Sequence, residues 1–227
     1  MFAGYVERPR GEWRLLEEQR WEFDLSGVVH CPGLLAEVAD ADSVGQWEGL
    51  AEHPALVAKL EQIFGAEYPN FDHAAASSPI SYILDRPPRL LEPGDGPAAP
   101  LPDCVDPVER LRLRYDDYRA RPDVSAALGL RVLVALEATS DIVVVPCSHK
   151  TDPTFPAPAT LREIEELYGT VLRPTLAAGD VLLLAAPTVV ARQEQEQSST
   201  GSPLSRVLEL LLVNPALCAP GMGYVPR

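Results

Sequence analysis

The sequence predicts an α+β fold with a mainly β core, and three observations carry that expectation. Helical periodicity dominates the first half of the chain, short runs rich in Val and Leu crowd the second half, and a single helical pattern interrupts those runs. Helices first and strands afterwards suit a β-sandwich or barrel with helices packed outside it; an alternating α/β sheet would need a helix between successive strands. With 227 residues, 46% of them hydrophobic, the chain has material for one real core, so a single domain over 1–227 is expected.

The elements follow in order. Trp13 to Asp24 mix Glu, Gln, Arg and Leu with two tryptophans, a composition suited to a short amphipathic helix, and Val28 to Cys31 then read as a strand closed by Pro32-Gly33. Between Pro54 and Phe64, Leu56, Val57, Leu60, Ile63 and Phe64 recur at helical spacing, with Pro54 suited to the first turn and Gly65 to the stop. Residues 79 to 84 look like a strand. Arg86 to Pro107 hold seven prolines without periodicity, a long loop of the kind that is usually functional or disordered. Asp106-Pro-Val-Glu109 has the form of a capping box, and Val108, Leu111, Tyr115 and Tyr118 share one face of a helix that ends before Pro122. Arg131 to Ala138, Asp141 to Val145, Asp180 to Leu184 and Arg206 to Val213 are buried strands. The helix among them runs from Thr160 through Tyr168, with a Thr-x-x-Glu cap and Gly169 at its stop.

Charge narrows the partners. Nineteen Lys and Arg against thirty-three Asp and Glu give a formal charge of −14, which repels phosphate backbones and anionic lipid surfaces. Neither nucleic acid nor a membrane is an expected partner; a small-molecule substrate or ligand is. The longest apolar run, Val181 to Ala191, is broken by Pro187 and is far shorter than the roughly 20 residues of a spanning helix. The first ten residues lack a basic start followed by an apolar stretch, so a cytoplasmic location is expected. Cys31, Cys104, Cys147 and Cys218 form no Cys-x-x-Cys pair and read as free thiols.

Four segments carry a resemblance. The string from Leu15 to Leu35 contains an acidic lead-in, Phe23-Asp24, Gly27, an extended pair and Pro32-Gly-Leu-Leu35. Val143-Val-Val-Pro-Cys-Ser-His-Lys150 follows, with Cys147 where glycine is usual. Leu176-Ala-Ala-Gly-Asp-Val-Leu-Leu-Leu184 is the third and Ser205-Arg-Val-Leu-Glu-Leu-Leu-Leu-Val-Asn-Pro215 the fourth. In this order, across nearly the whole chain, they resemble the phytanoyl-CoA dioxygenase-like family of Fe(II)- and 2-oxoglutarate-dependent oxygenases. The resemblance implies a double-stranded β-helix, a jelly-roll or cupin-like barrel, preceded by N-terminal packing helices. It also implies Fe(II) and 2-oxoglutarate as cofactors and hydroxylation of a small organic substrate.

That chemistry needs two histidines and a carboxylate on one face of the metal. The resemblance places the first histidine at Glu92 and the second at Val189, and valine cannot bind iron. No His-x-Asp occurs around His30, His53, His73 or His149. Glu92 and Asp95 are the remaining oxygen donors near the first ligand position, although two acids in a Pro- and Gly-rich loop of an acidic protein are more often simply solvated. His149 is expected in a structural or supporting role, His30 as packed or partly exposed, and His53 and His73 in surface or capping roles. Arg206 is the residue the resemblance nominates to grip the carboxylate of 2-oxoglutarate, since a guanidinium fork can make two parallel hydrogen bonds to it. Arg131 and Arg173 have no equivalent claim. Three functions stay open: an oxygenase with displaced ligands, a family member without iron that serves as a binding, scaffold or regulatory protein, and metal-free chemistry by acids such as Glu92 or Asp116. The loss of both histidines favours the second. The Arg86–Pro107 and Gln193–Pro203 segments would flank the barrel mouth.

Overall fold

The computed structural model describes residues 15–38, 47, 49–64, 83–84, 87–91, 129–150, 160–186, 188–193 and 205–213. The helix expected after Asp106 and most of the two segments expected at the barrel mouth lie outside them.

Three helices follow the local signals. In α1 (Glu17–Ser26), Gln19 Oε1 accepts the Leu16 amide at 3.0 Å. The helix stops at Gly27, whose φ of 75° turns its amide back onto the Phe23 carbonyl. α2 (Pro54–Phe64) starts at a proline, where the missing N–H would have had no helical partner, and turns Leu56, Leu60 and Ile63 into the core. α3 (Leu161–Tyr168) is capped by Thr160, whose hydroxyl accepts the Glu163 amide at 3.2 Å, and closes at Gly169.

The strands are β1 (Val28–Cys31), β2 (Ile83–Leu84), β3 (Arg89–Leu90), β4 (Gly129–Ala135), β5 (Ile142–Val144), β6 (Val181–Ala185), β7 (Val190–Arg192) and β8 (Val207–Val213). One antiparallel sheet runs β1-β6-β4-β8-β2, with β3 also on β8. β2 and β3 are two pieces of one edge: Leu84 pairs with Leu212 and Arg89 with Glu209, so five steps along the edge match three along β8. Pro87 and Pro88 fall between them and bring no N–H to the ladder. A second antiparallel sheet pairs β5 with β7. β7 has no counterpart among the expected strands. It occupies the end of the apolar run after β6, set off by a turn in which the Thr188 amide returns to the Ala185 carbonyl at 2.8 Å, and three residues are too few to show a period.

Alternation along the strands sorts the core into layers. On one face of the large sheet, Val29, Val132, Leu183 and Leu210 pack with Phe23 of α1 and Leu56 and Leu60 of α2. On the other, Val28, Leu133, Leu182 and Val207 pack with Ile142, Val144 and Val190 of the small sheet. α3 covers the far side of the small sheet, where Ile164 meets Val145, Val189 and Ala191. Among the described residues, no helix is long and apolar enough to cross a membrane.

Candidate functional site between the sheets

The segments that carry the resemblance meet in space as joints. Asp180 sits where β6 begins; its Oδ1 accepts the Gly33 amide at 2.7 Å and its Oδ2 accepts the Ala177 amide at 3.0 Å and faces His30 Nε2 at 2.9 Å. The Leu35 amide donates to the Gly179 carbonyl at 2.9 Å. The Pro-Gly turn of the first segment is thereby pinned to the Gly-Asp of the third. The second segment reaches the first as well: the Cys147 amide donates to the Ser26 carbonyl at 2.7 Å, and the ring of His149 lies against Gly27 so closely that a Cβ there would stand 2.2 Å from Nδ1. Ser148 Oγ in turn accepts the Val189 amide at 2.8 Å.

The histidines take up structural places. His149 is buried, in keeping with a supporting role, and His30 is half-buried on Asp180. His53 caps α2, its Nδ1 accepting the Ala55 amide at 3.3 Å, but it is buried rather than on the surface, with Nε2 3.1 Å from Glu37. Burial depresses the His53 pKa, against the pull of Glu37. Burial opposes ionisation of Asp180, yet the Gly33 and Ala177 amides and His30 hold its carboxyl below the ordinary carboxylate value. His73 lies outside the described residues.

Charge enters the layer between the sheets at two places. Arg131 shares the inner face of β4 with Leu133 and is fully buried; its Nε donates to Glu209 Oε1 on β8. Arg89, opposite Glu209 on the edge strand, donates through Nε to Glu209 Oε2 at 2.5 Å and is 45% exposed. Burial would raise the Glu209 pKa, but the two guanidiniums, Arg131 first, hold it below the usual range. The second cluster lies at the end of β7. Arg192 is buried, donates to Asp141 Oδ2 at 3.0 Å and to Ser205 Oγ at 2.8 Å, and also reaches the carbonyls of Leu91 and Ser205. Ser205 Oγ meets Thr139 Oγ1 at 2.9 Å, and Thr139 Oγ1 bonds to Asp141 Oδ1. This network ties β3, β5, β7 and β8 together.

No family model matches the chain, and no curated protein matches it. Among solved structures it is similar to HygX from Streptomyces hygroscopicus, described with nickel and 2-oxoglutarate bound. The identity is 16%, over 88% of this chain and 87% of that chain, with a TM-score of 0.46. It is also similar to SnoN, described as a non-heme alpha ketoglutarate dependent epimerase from nogalamycin biosynthesis. Here the identity is 18%, over 96% of this chain and 91% of that chain, with a TM-score of 0.43.

The described residues do not fit an iron centre. Val189, the residue expected from the resemblance to stand in for the second histidine, packs outward on Ile164, and its neighbour Val190 faces the layer between the sheets; both are aliphatic. Among the described residues, no three His, Cys, Asp or Glu side chains could hold a metal ion together. Glu92 and Asp95 lie outside those residues, as does Asp116. Arg206 precedes β8 and pairs with Glu137, Nε to Oε1 at 2.7 Å, with both side chains about one-third exposed. Arg173 pairs with Glu165 on the surface. Sequence reasoning passed over Arg131, Glu209 and Arg192. The signal for the first two was present: each is the lone charge in a run of Val and Leu, and their signs are opposite.

Proposed function

We propose that this chain is a jelly-roll protein of the 2-oxoglutarate oxygenase type, a double-stranded β-helix, that binds a small molecule without iron and serves as a binding or regulatory protein. The observation that carries this reading is the pair Val189 and Val190. One faces out and the other in, so neither rotation nor a one-residue shift of register brings a metal ligand to that position. Two antiparallel sheets packed face to face, with helices outside the larger one, support the barrel. The family-like segments act as joints, so their likeness to an oxygenase requires no active metal centre.

Anaerobic reconstitution with ferrous iron, followed by desalting and metal analysis, is expected to leave far less than one iron per chain, with no oxygen-dependent release of succinate from 2-oxoglutarate. Retention of one iron per chain would overturn the proposal. Thermal stabilisation by millimolar 2-oxoglutarate, lost in Arg206→Ala, is the outcome expected if Arg206 grips the ligand; a shift that persists in that variant removes Arg206 from the site.

A further inference from the structure

The layer between the sheets is built from Val, Leu, Ile and Ala, and three charged side chains converge in it. Glu209 stands on β8 between Arg131 on one neighbouring strand and Arg89 on the other, and each guanidinium takes one of its two carboxyl oxygens. An ion pair in such a place is poorly explained by stability, because well-packed apolar side chains of similar volume usually do as well or better. Arg131 is fully buried while Arg89 is 45% exposed, so the cluster opens to solvent at the edge of the sheet.

We propose that Arg131 and Arg89 form a carboxylate-binding site which Glu209 fills as an internal ligand, and that a small external carboxylate takes the same seat when Glu209 is removed. The seat has the dimensions of one carboxyl group, because its two donors are spaced by the two oxygens of one. In the native chain the tethered carboxylate of Glu209 has an effective concentration no dilute monocarboxylate can match, so acetate alone leaves the native protein unmoved. A physiological ligand competes by adding contacts of its own and enters past Arg89. The inference rests on the metal-free binding reading above, for which it names the ligand class: a small organic acid.

The test uses the full chain carrying Glu209→Ala, with acetate and propionate at tens of millimolar and chloride at matched ionic strength. Acetate is expected to raise the Tm of Glu209→Ala by about 3 °C or more, with no rise in chloride. The double variant Arg131→Leu with Glu209→Leu, which replaces the charges by apolar side chains, is expected to fold and to ignore both anions. Equal responses of Glu209→Ala to acetate and chloride, or a response to acetate in the double variant, would overturn the proposal. If Glu209→Ala does not fold unaided, its soluble yield on refolding replaces Tm: higher in acetate than in chloride is expected, and equal yields overturn the proposal. Iron bound by the native chain would sink the metal-free reading and leave the acetate result standing, so the two failures are distinguishable.

Discussion

Cys147 has a φ of 64°, the one positive value at a non-glycine residue among those described. The left-handed region crowds a Cβ against the following carbonyl and costs an L-residue about 1–2 kcal/mol, which gives the glycine usual at this point of the resembling family a physical reason. What offsets the strain here is contact: the Cys147 amide donates to the Ser26 carbonyl, and its Sγ donates to the Leu25 carbonyl at 3.2 Å. Glycine would relieve the strain, keep the amide bond and lose the thiol contact, while giving up roughly 0.5–1 kcal/mol of backbone entropy. Cys147→Gly is therefore expected to stabilise the chain by about 0.5 kcal/mol. Cys147→Ala keeps the strain and loses the thiol, so it should fall below the parent. Urea unfolding of the three proteins orders them, and alanine above glycine would refute the strain argument.

At the scale of elements, the joint between the turn after β1 and the start of β6 depends on Gly179. Its φ is 85°, and a Cβ there would stand 2.4 Å from Ala36 Cα and 2.7 Å from Ala36 N, which are backbone atoms that cannot swing aside. Gly169 has a φ of 68° but nothing within 4 Å of a built Cβ. Gly169→Ala should thus cost only the conformational penalty, about 1 kcal/mol, and Gly179→Ala about 3 kcal/mol or more because the turn must separate from β6. Comparable costs in denaturant unfolding would mean the joint yields. These elements also mark how far the sequence was legible. α2 and α3 follow from Pro54, Thr160 and Gly169, because caps and apolar spacing are local signals. The Gly-Asp before β6 was legible as a motif but not as a clamp, since its partners Gly33 and His30 lie about 150 positions away. β7 was hidden by brevity. At the site, Arg131 and Glu209 were legible as lone charges in apolar runs but not as partners, because the strands that bring them together lie 78 positions apart.

For the whole molecule, pH reads out how these charges are held. His53, Glu209 and Asp180 all have folded pKa values below their ordinary 6.5, 4.5 and 3.8. The unfolded chain therefore binds more protons than the folded one in each window, and stability falls as pH falls. For His53 the loss begins near its ordinary value, since protonation puts a charge on a buried ring. For the two carboxylates it begins near 4.5 and 3.8 and runs down through their lower folded values, as the bonds to Arg131, Arg89 and the Gly33 amide lose their ionised acceptor. An opposing effect exists: acidification neutralises part of the −14 charge and relieves self-repulsion. Salt separates the two, because exposed charges are screened within about 8 Å at physiological ionic strength while the buried pairs are not. In moderate salt, urea unfolding is expected to show a shallow decline from about pH 6.5 to pH 5 and a steeper one below, totalling a few kcal/mol by about pH 3. His53→Gln should flatten the shallow part and leave the steep part unchanged, whereas Asp180→Asn should start lower at neutral pH and lose less on acidification. A shallow decline of undiminished slope in His53→Gln would move that proton uptake to another group and remove the buried ring from the account.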